Sequence, residues 1–185
     1  MKTINFLFSM SFLSLLVTSC SGDDNNPEPV NEEEVITTMT VTLTPQGGGT
    51  AITLQSQDLD GDGPNAPEVT VSGNMASNTS YDGTIVLLNE TETPAEDITE
   101  EVAEEAEDHQ FFFNVAGGLD GTASYEDSDG DGNPLGIEFT LSAGSASNGT
   151  LTITLRHEPK KPNDGSLADA GGETDIAQTF ELSIE

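Results

Sequence analysis

The stretch Thr38-Met39-Thr40-Val41-Thr42-Leu43-Thr44 decides the fold. Apolar and hydroxyl side chains alternate with a period of two, and successive side chains of an extended chain point to opposite faces. Met39, Val41 and Leu43 therefore share a face that requires burial, and the threonines share one that tolerates water. Threonine and valine are β-branched, so backbone preference agrees with the pattern. Pro45-Gln46-Gly47-Gly48-Gly49 turns the chain, and Thr50 to Gln55 returns with Ile52 and Leu54 on one face. This reads as a hairpin.

The same logic extends along the chain. Glu68 to Ser72, Gly83 to Asn89, Gln110 to Val115, Thr122 to Tyr125, Ile137 to Ser142, Thr150 to Arg156 and Ala177 to Ile184 read as strands. Turns such as Gly117-Gly118-Leu119-Asp120-Gly121 and Ser147-Asn148-Gly149 separate them. About nine short strands at this spacing predict an all-β fold, an antiparallel β-sandwich over residues 35–185. One segment departs from the pattern. Thr93-Pro94-Ala95-Glu96 fits a capping box with proline at the first helical position, and Ile98, Val102 and Ala106 recur at four-residue spacing. A short acidic helix through about Glu107 is expected. Phe111-Phe112-Phe113 reads as a strand with apolar side chains on both faces, under that helix or as an exposed patch.

The N-terminus carries an address. Residues 1–19 combine Lys2 with the apolar runs Phe6-Leu7-Phe8 and Phe12 to Val17, the pattern of a secretory signal peptide too short to span a bilayer. Val17-Thr18-Ser19-Cys20 resembles the lipobox of bacterial lipoproteins, and Cys20 is the only cysteine of the chain. Cleavage before Cys20 and lipidation of its sulfur by diacylglycerol would give a membrane anchor through acyl chains. Residues 20–34, rich in Asp, Glu, Asn and Pro, are expected to form a disordered acidic tether. Acids soon after the cysteine resemble the export signal of Bacteroidota lipoproteins. That implies the outer membrane, at the cell surface or on the periplasmic face.

Thirty-four acidic residues face four basic ones, a formal charge of −30. Such a surface repels nucleic acid and favours divalent cations, basic partners or solubility. Two acidic segments carry the spacing of a calcium loop. In the second, Asp127, Asp129 and Asp131 stand at positions 1, 3 and 5, Gly132 at 6, Asn133 at 7 and Glu138 at 12. Calcium takes six to eight oxygens, carboxylates at alternate positions of a tight loop converge, and a glutamate at position 12 closes the cage. These twelve residues resemble an EF-hand loop, here flanked by strands. The first segment offers Asp58, Asp60 and Asp62, with Glu68 at position 11 rather than 12. Glu68-Val69-Thr70-Val71-Ser72 echoes Glu138-Phe139-Thr140-Leu141-Ser142, so two related hairpins are expected, each with a calcium ion in its loop. Asp-Gly pairs also serve as plain strand-joining turns.

Enzymatic signatures are thin. His109 and His157 read as surface or strand-edge histidines, and His157-Glu158-Pro159-Lys160-Lys161 is not a zinc-protease motif because lysine stands at 161. No nucleophile elbow or phosphate loop is legible. Arg156, Lys160 and Lys161 cluster where they could hold an anion or offset the acidic face.

Leu155 to Lys161, Asp164-Gly165, Ala170 to Asp175, Glu32 to Thr38 and Leu59 to Pro64 together resemble a set of small flavobacterial lipoproteins, over nearly the whole chain. Members are commonly described as type 1 periplasmic binding fold proteins, an α/β architecture, whereas the strand pattern here predicts all-β. The resemblance implies export and anchoring, without an activity. The expected function is a calcium-stabilised, non-enzymatic binding or interaction module on the outer membrane, with a protein or small-ligand partner. The alternative is a small-ligand or glycan capture component of an uptake system.

Overall fold

The computed structural model describes residues 34–61 and 63–185. The expected signal peptide, Cys20, the expected tether up to residue 33 and the loop residue Asp62 lie outside the described residues. Ten strands and two short helices follow in the order β1 (Thr38–Pro45), β2 (Ile52–Gln57), β3 (Glu68–Val71), β4 (Thr79–Asn89), β5 (Glu96–Asp97), α1 (Ile98–Glu104), β6 (His109–Ala116), β7 (Gly121–Tyr125), β8 (Glu138–Ala143), β9 (Ser147–His157), α2 (Leu167–Ala170) and β10 (Glu173–Ile184). They form two antiparallel sheets. One runs β3-β2-β1-β4-β8-β7, with β5 paired to β4; the other runs β10-β9-β6. The fold is an all-β sandwich.

β1 sits centrally in the larger sheet, with Met39, Val41 and Leu43 fully buried and Thr40 and Thr42 half exposed. Ile52 and Leu54 of β2, Ile85 and Leu87 of β4 and Phe139 and Leu141 of β8 bury the same face. From the smaller sheet come Phe111, Leu151, Ile153, Leu155, Phe180, Leu182 and Ile184. The two apolar faces close one core, the arrangement that removes most apolar surface from water for sheets with one solvated side. Gly83 of β4 lies over Phe139, where an added Cβ would fall 2.5 Å from the ring. A side chain there would displace the ring from the core.

The helix starts later than the Thr93-Pro94 signal predicts. Glu96 and Asp97 instead pair with Asn89 and Leu88 of β4. Asp97 caps α1, its carboxylate accepting from Thr99 N at 3.0 Å. Ile98 and Val102 are buried and Ala106 packs on the core, as the four-residue stripe requires. No helix among the described residues is long and apolar enough to cross a membrane.

Candidate metal centre

β6 and β9 pair so that His109, the first residue of β6, lies directly opposite His157, the last of β9. The pair continues the inward row Val115/Leu151, Phe113/Ile153 and Phe111/Leu155 to the rim of the core. Both histidines are buried, at 0% and 4% exposure, which corrects the expectation of surface or strand-edge side chains. Their rings meet edge to face with centroids 4.5 Å apart.

Two carboxylates join them. In β10 the register against β9 shifts between Thr174, opposite Arg156, and Ile176, opposite Leu155. Asp175 is the extra residue of this bulge. A bulge re-aims a side chain that strict alternation would send elsewhere, and the Asp175 side chain is buried with Oδ1 3.9 Å from His157 Nδ1. Glu34 arrives from the segment before β1, in the other sheet. Its Oε1 lies 3.0 Å from His109 Nε2 and its Oε2 3.4 Å from His157 Nδ1, with the side chain only 5% exposed. Glu34 is the last residue of the expected tether, yet it is held against the domain. The turn that follows His157 is equally confined. Gly172 has a φ of +72°, and a Cβ on it would fall 2.3 Å from the His157 carbonyl oxygen.

One hydrogen bond fixes the chemistry of His109. Its Nδ1 lies 3.1 Å from the Glu105 carbonyl oxygen just beyond α1. A carbonyl only accepts, so Nδ1 carries the proton and donates. The neutral ring then presents the Nε2 lone pair to the Glu34 carboxylate. Lone pair against lone pair at 3.0 Å requires a second proton or a cation between them. Imidazoles that ligate metals characteristically donate their other N–H to a carbonyl or carboxylate in this way. One donor atom each from Glu34, His109, His157 and Asp175 all lie within 4.8 Å of one another, so this buried group could hold a metal ion. Among the described residues no other three or more such side chains converge to that degree.

The chain has no match among protein-family models, curated proteins or solved structures.

The acidic loops are placed differently. Asp127 accepts from Gly136 N at 2.6 Å through Oδ1 and from Glu138 N at 3.0 Å through Oδ2. Asp129, its side chain 1% exposed, accepts from Asp131 N and Asn133 N through Oδ1, and Lys161 Nζ lies 3.2 Å from its Oδ2. Burial alone would push the Asp129 carboxyl up. The donors of Asn133 and the Lys161 ammonium outweigh it and hold the group below its ordinary value. Asp131 and Glu138 stay exposed, Glu138 in a shallow groove with Asp82 and Glu126. In the first loop Asp58, Asp60 and Glu68 line one groove, where Asp60 accepts from Asn65 Nδ2 at 2.6 Å. The cationic cluster is spent internally. Lys161 also donates to the Ala106 carbonyl, Lys160 pairs with Asp169 at 2.9 Å and Arg156 donates to the Gly172 carbonyl.

Proposed function

We propose that this chain is a lipid-anchored, non-enzymatic interaction module of the outer membrane whose sandwich is stapled by one divalent transition-metal ion. The ion is held by Glu34, His109, His157 and Asp175. The observation that carries the reading is the His109 arrangement: Nδ1 donates to a carbonyl, and Nε2 lies 3.0 Å from a buried carboxylate, a contact that needs a second proton or a cation. Two imidazole nitrogens and two carboxylate oxygens suit zinc or a neighbouring first-row ion, whereas calcium takes oxygen donors. Zinc–ligand bonds of about 2.0–2.2 Å in a tetrahedron set the donors roughly 3.4 Å apart. The contacts of 3.0 and 3.4 Å, through the two oxygens of Glu34, and of 3.9 Å to Asp175 lie on either side of that spacing, and one donor atom from each residue lies within 4.8 Å of the others. Four protein ligands leave no position for substrate, the mark of a structural rather than a catalytic site.

Calcium, expected at both loops, finds support only at the first, where Asp58, Asp60 and Glu68 share a groove. At the second, the Lys161 ammonium and backbone N–H groups already satisfy Asp129.

Isothermal calorimetry of the metal-stripped protein with zinc tests the reading. One site with a dissociation constant of about 0.1 μM or tighter is expected, at the weak end of structural zinc sites. Millimolar calcium should not displace the zinc, and His109→Ala and His157→Ala should each remove the site. A zinc titration without heat would overturn it.

A further inference from the structure

The four ligands are unequal in how the backbone holds them. His109 and His157 are paired residues of one ladder, and Asp175 sits in a bulge of the strand on its other side. Glu34 belongs to no strand. Residues 34–37 lead into β1. Among the described residues, the backbone of this segment is fastened at Thr37, whose N–H donates to the Leu88 carbonyl at 3.0 Å and whose carbonyl accepts from Asp58 N at 2.7 Å. Ile36 is partly buried and packs against the core, whereas Val35 is 56% exposed, so apolar contact holds the chain at Ile36 and not ahead of it. What ties Glu34 down is its carboxylate, reaching His109 and His157 across to the other sheet.

Burial closes the site from every other side. The side chains of His109, His157, Glu34 and Asp175 are all 6% exposed or less. An ion that enters or leaves must displace one ligand, and the ladder resists movement of three of them. The electrostatics act in the same direction. Glu34 and Asp175 both face His157, and Glu101 of α1 lies close enough that burial first, and then the charge of Glu34, push its carboxyl up. Without a cation these carboxylates repel; with one, Glu34 is drawn inward.

Resting on the metal reading above, we propose that Glu34 is a metal-dependent latch. The ion enters and leaves by release of residues 34–36, and its presence docks that segment onto the smaller sheet. Metal occupancy thereby sets whether residues 34–36 lie docked or released. The carboxylate that completes the coordination is also the gate that controls access to it.

The test uses the full chain with Cys20→Ser, Val35→Cys and Glu181→Cys, spin-labelled at the exposed positions 35 and 181. Electron–electron double resonance reads the distance with zinc and with a chelator, and calorimetry on the same sample reads binding. A narrow distance distribution with zinc that at least doubles in width with chelator supports the latch. Zinc binding with the same width in both states overturns the latch and leaves the metal site standing. Absence of zinc binding overturns both. Adding Glu34→Gln, which neutralises a direct ligand, should weaken zinc by more than the roughly 10–100-fold that loss of an outer-shell partner costs and leave the distribution broad in both states. A distribution that still narrows with zinc in that variant would show that docking does not run through the carboxylate.

Discussion

Asp129 and Lys161 form a buried charge pair, with side chains 1% and 6% exposed and Nζ 3.2 Å from Oδ2. Removing one member of such a pair leaves the other charged and desolvated. Asp129→Asn should cost roughly 3–5 kcal/mol, whereas Asp131→Asn, at an exposed position, should stay within about 0.5 kcal/mol. Urea unfolding midpoints of the two variants decide it. The sign of the pH effect follows from the carboxyl being held below its ordinary value. Ionised Asp129 contributes stability that is present above the ordinary aspartate range, near pH 4. That contribution fades as pH falls through the lower folded value. Wild type should therefore lose stability more steeply than Asp129→Asn below about pH 4. Equal acid slopes would show that the pair stabilises nothing. The same pair explains why calcium-loop spacing is an incomplete guide: position 3 of the second loop is served by an ammonium 32 residues away.

At the scale of elements, α1 shows what local sequence discloses and what it conceals. The buried positions Ile98 and Val102 are legible because helix periodicity is a property of the segment itself. α1 starts later than the first signal predicts because two capping signals compete. Thr93-Pro94-Ala95-Glu96 is one and Asp97-Ile98-Thr99-Glu100 is the other. Pairing of Glu96 and Asp97 with β4 selects the second. Asp97→Ala should then cost about 1 kcal/mol, and Thr93→Ala should be neutral within about 0.5 kcal/mol; matched denaturation curves separate the two. Strands follow the same rule. The alternation in β1 is local, so its buried face could be assigned residue by residue. The buried group that could hold a metal was not legible because none of its determinants is local. Glu34 lies 75 and 123 residues from the two histidines. The opposition of His109 and His157 exists only once β6 and β9 adopt their register, and Asp175 turns inward through a bulge that leaves no mark in the pattern. The available signal was a histidine at the start of one apolar strand and another at the end of a second, which becomes meaningful only when those strands are paired.

For the whole molecule, the position of the centre matters more than its depth. Three candidate ligands come from the smaller sheet and the fourth from the chain entering the central strand of the larger one. An ion there joins the two layers at one end of the sandwich, where a chain with a single cysteine has no disulfide to do so. The ion would tie Glu34 to side chains 75 and 123 residues away in the chain. Binding to the folded state alone adds about 4.1 kcal/mol at a free zinc concentration 1,000 times the dissociation constant. At roughly 2–4 °C per kcal/mol for a domain of this size, the melting temperature should rise by about 8–16 °C. Calorimetric scans with zinc and with chelator measure the shift. His157→Ala, which removes a ligand while leaving the pairing of β9 with β6 and β10 to the backbone, should melt at the same temperature in both. Calcium at equal concentration should move wild type by far less, because the nitrogen donors that select zinc do not serve a hard ion. A shift with calcium as large as that with zinc, unchanged in His157→Ala, would place the stabilising ion in the groove of Asp58, Asp60 and Glu68 and remove the argument for a staple between the sheets.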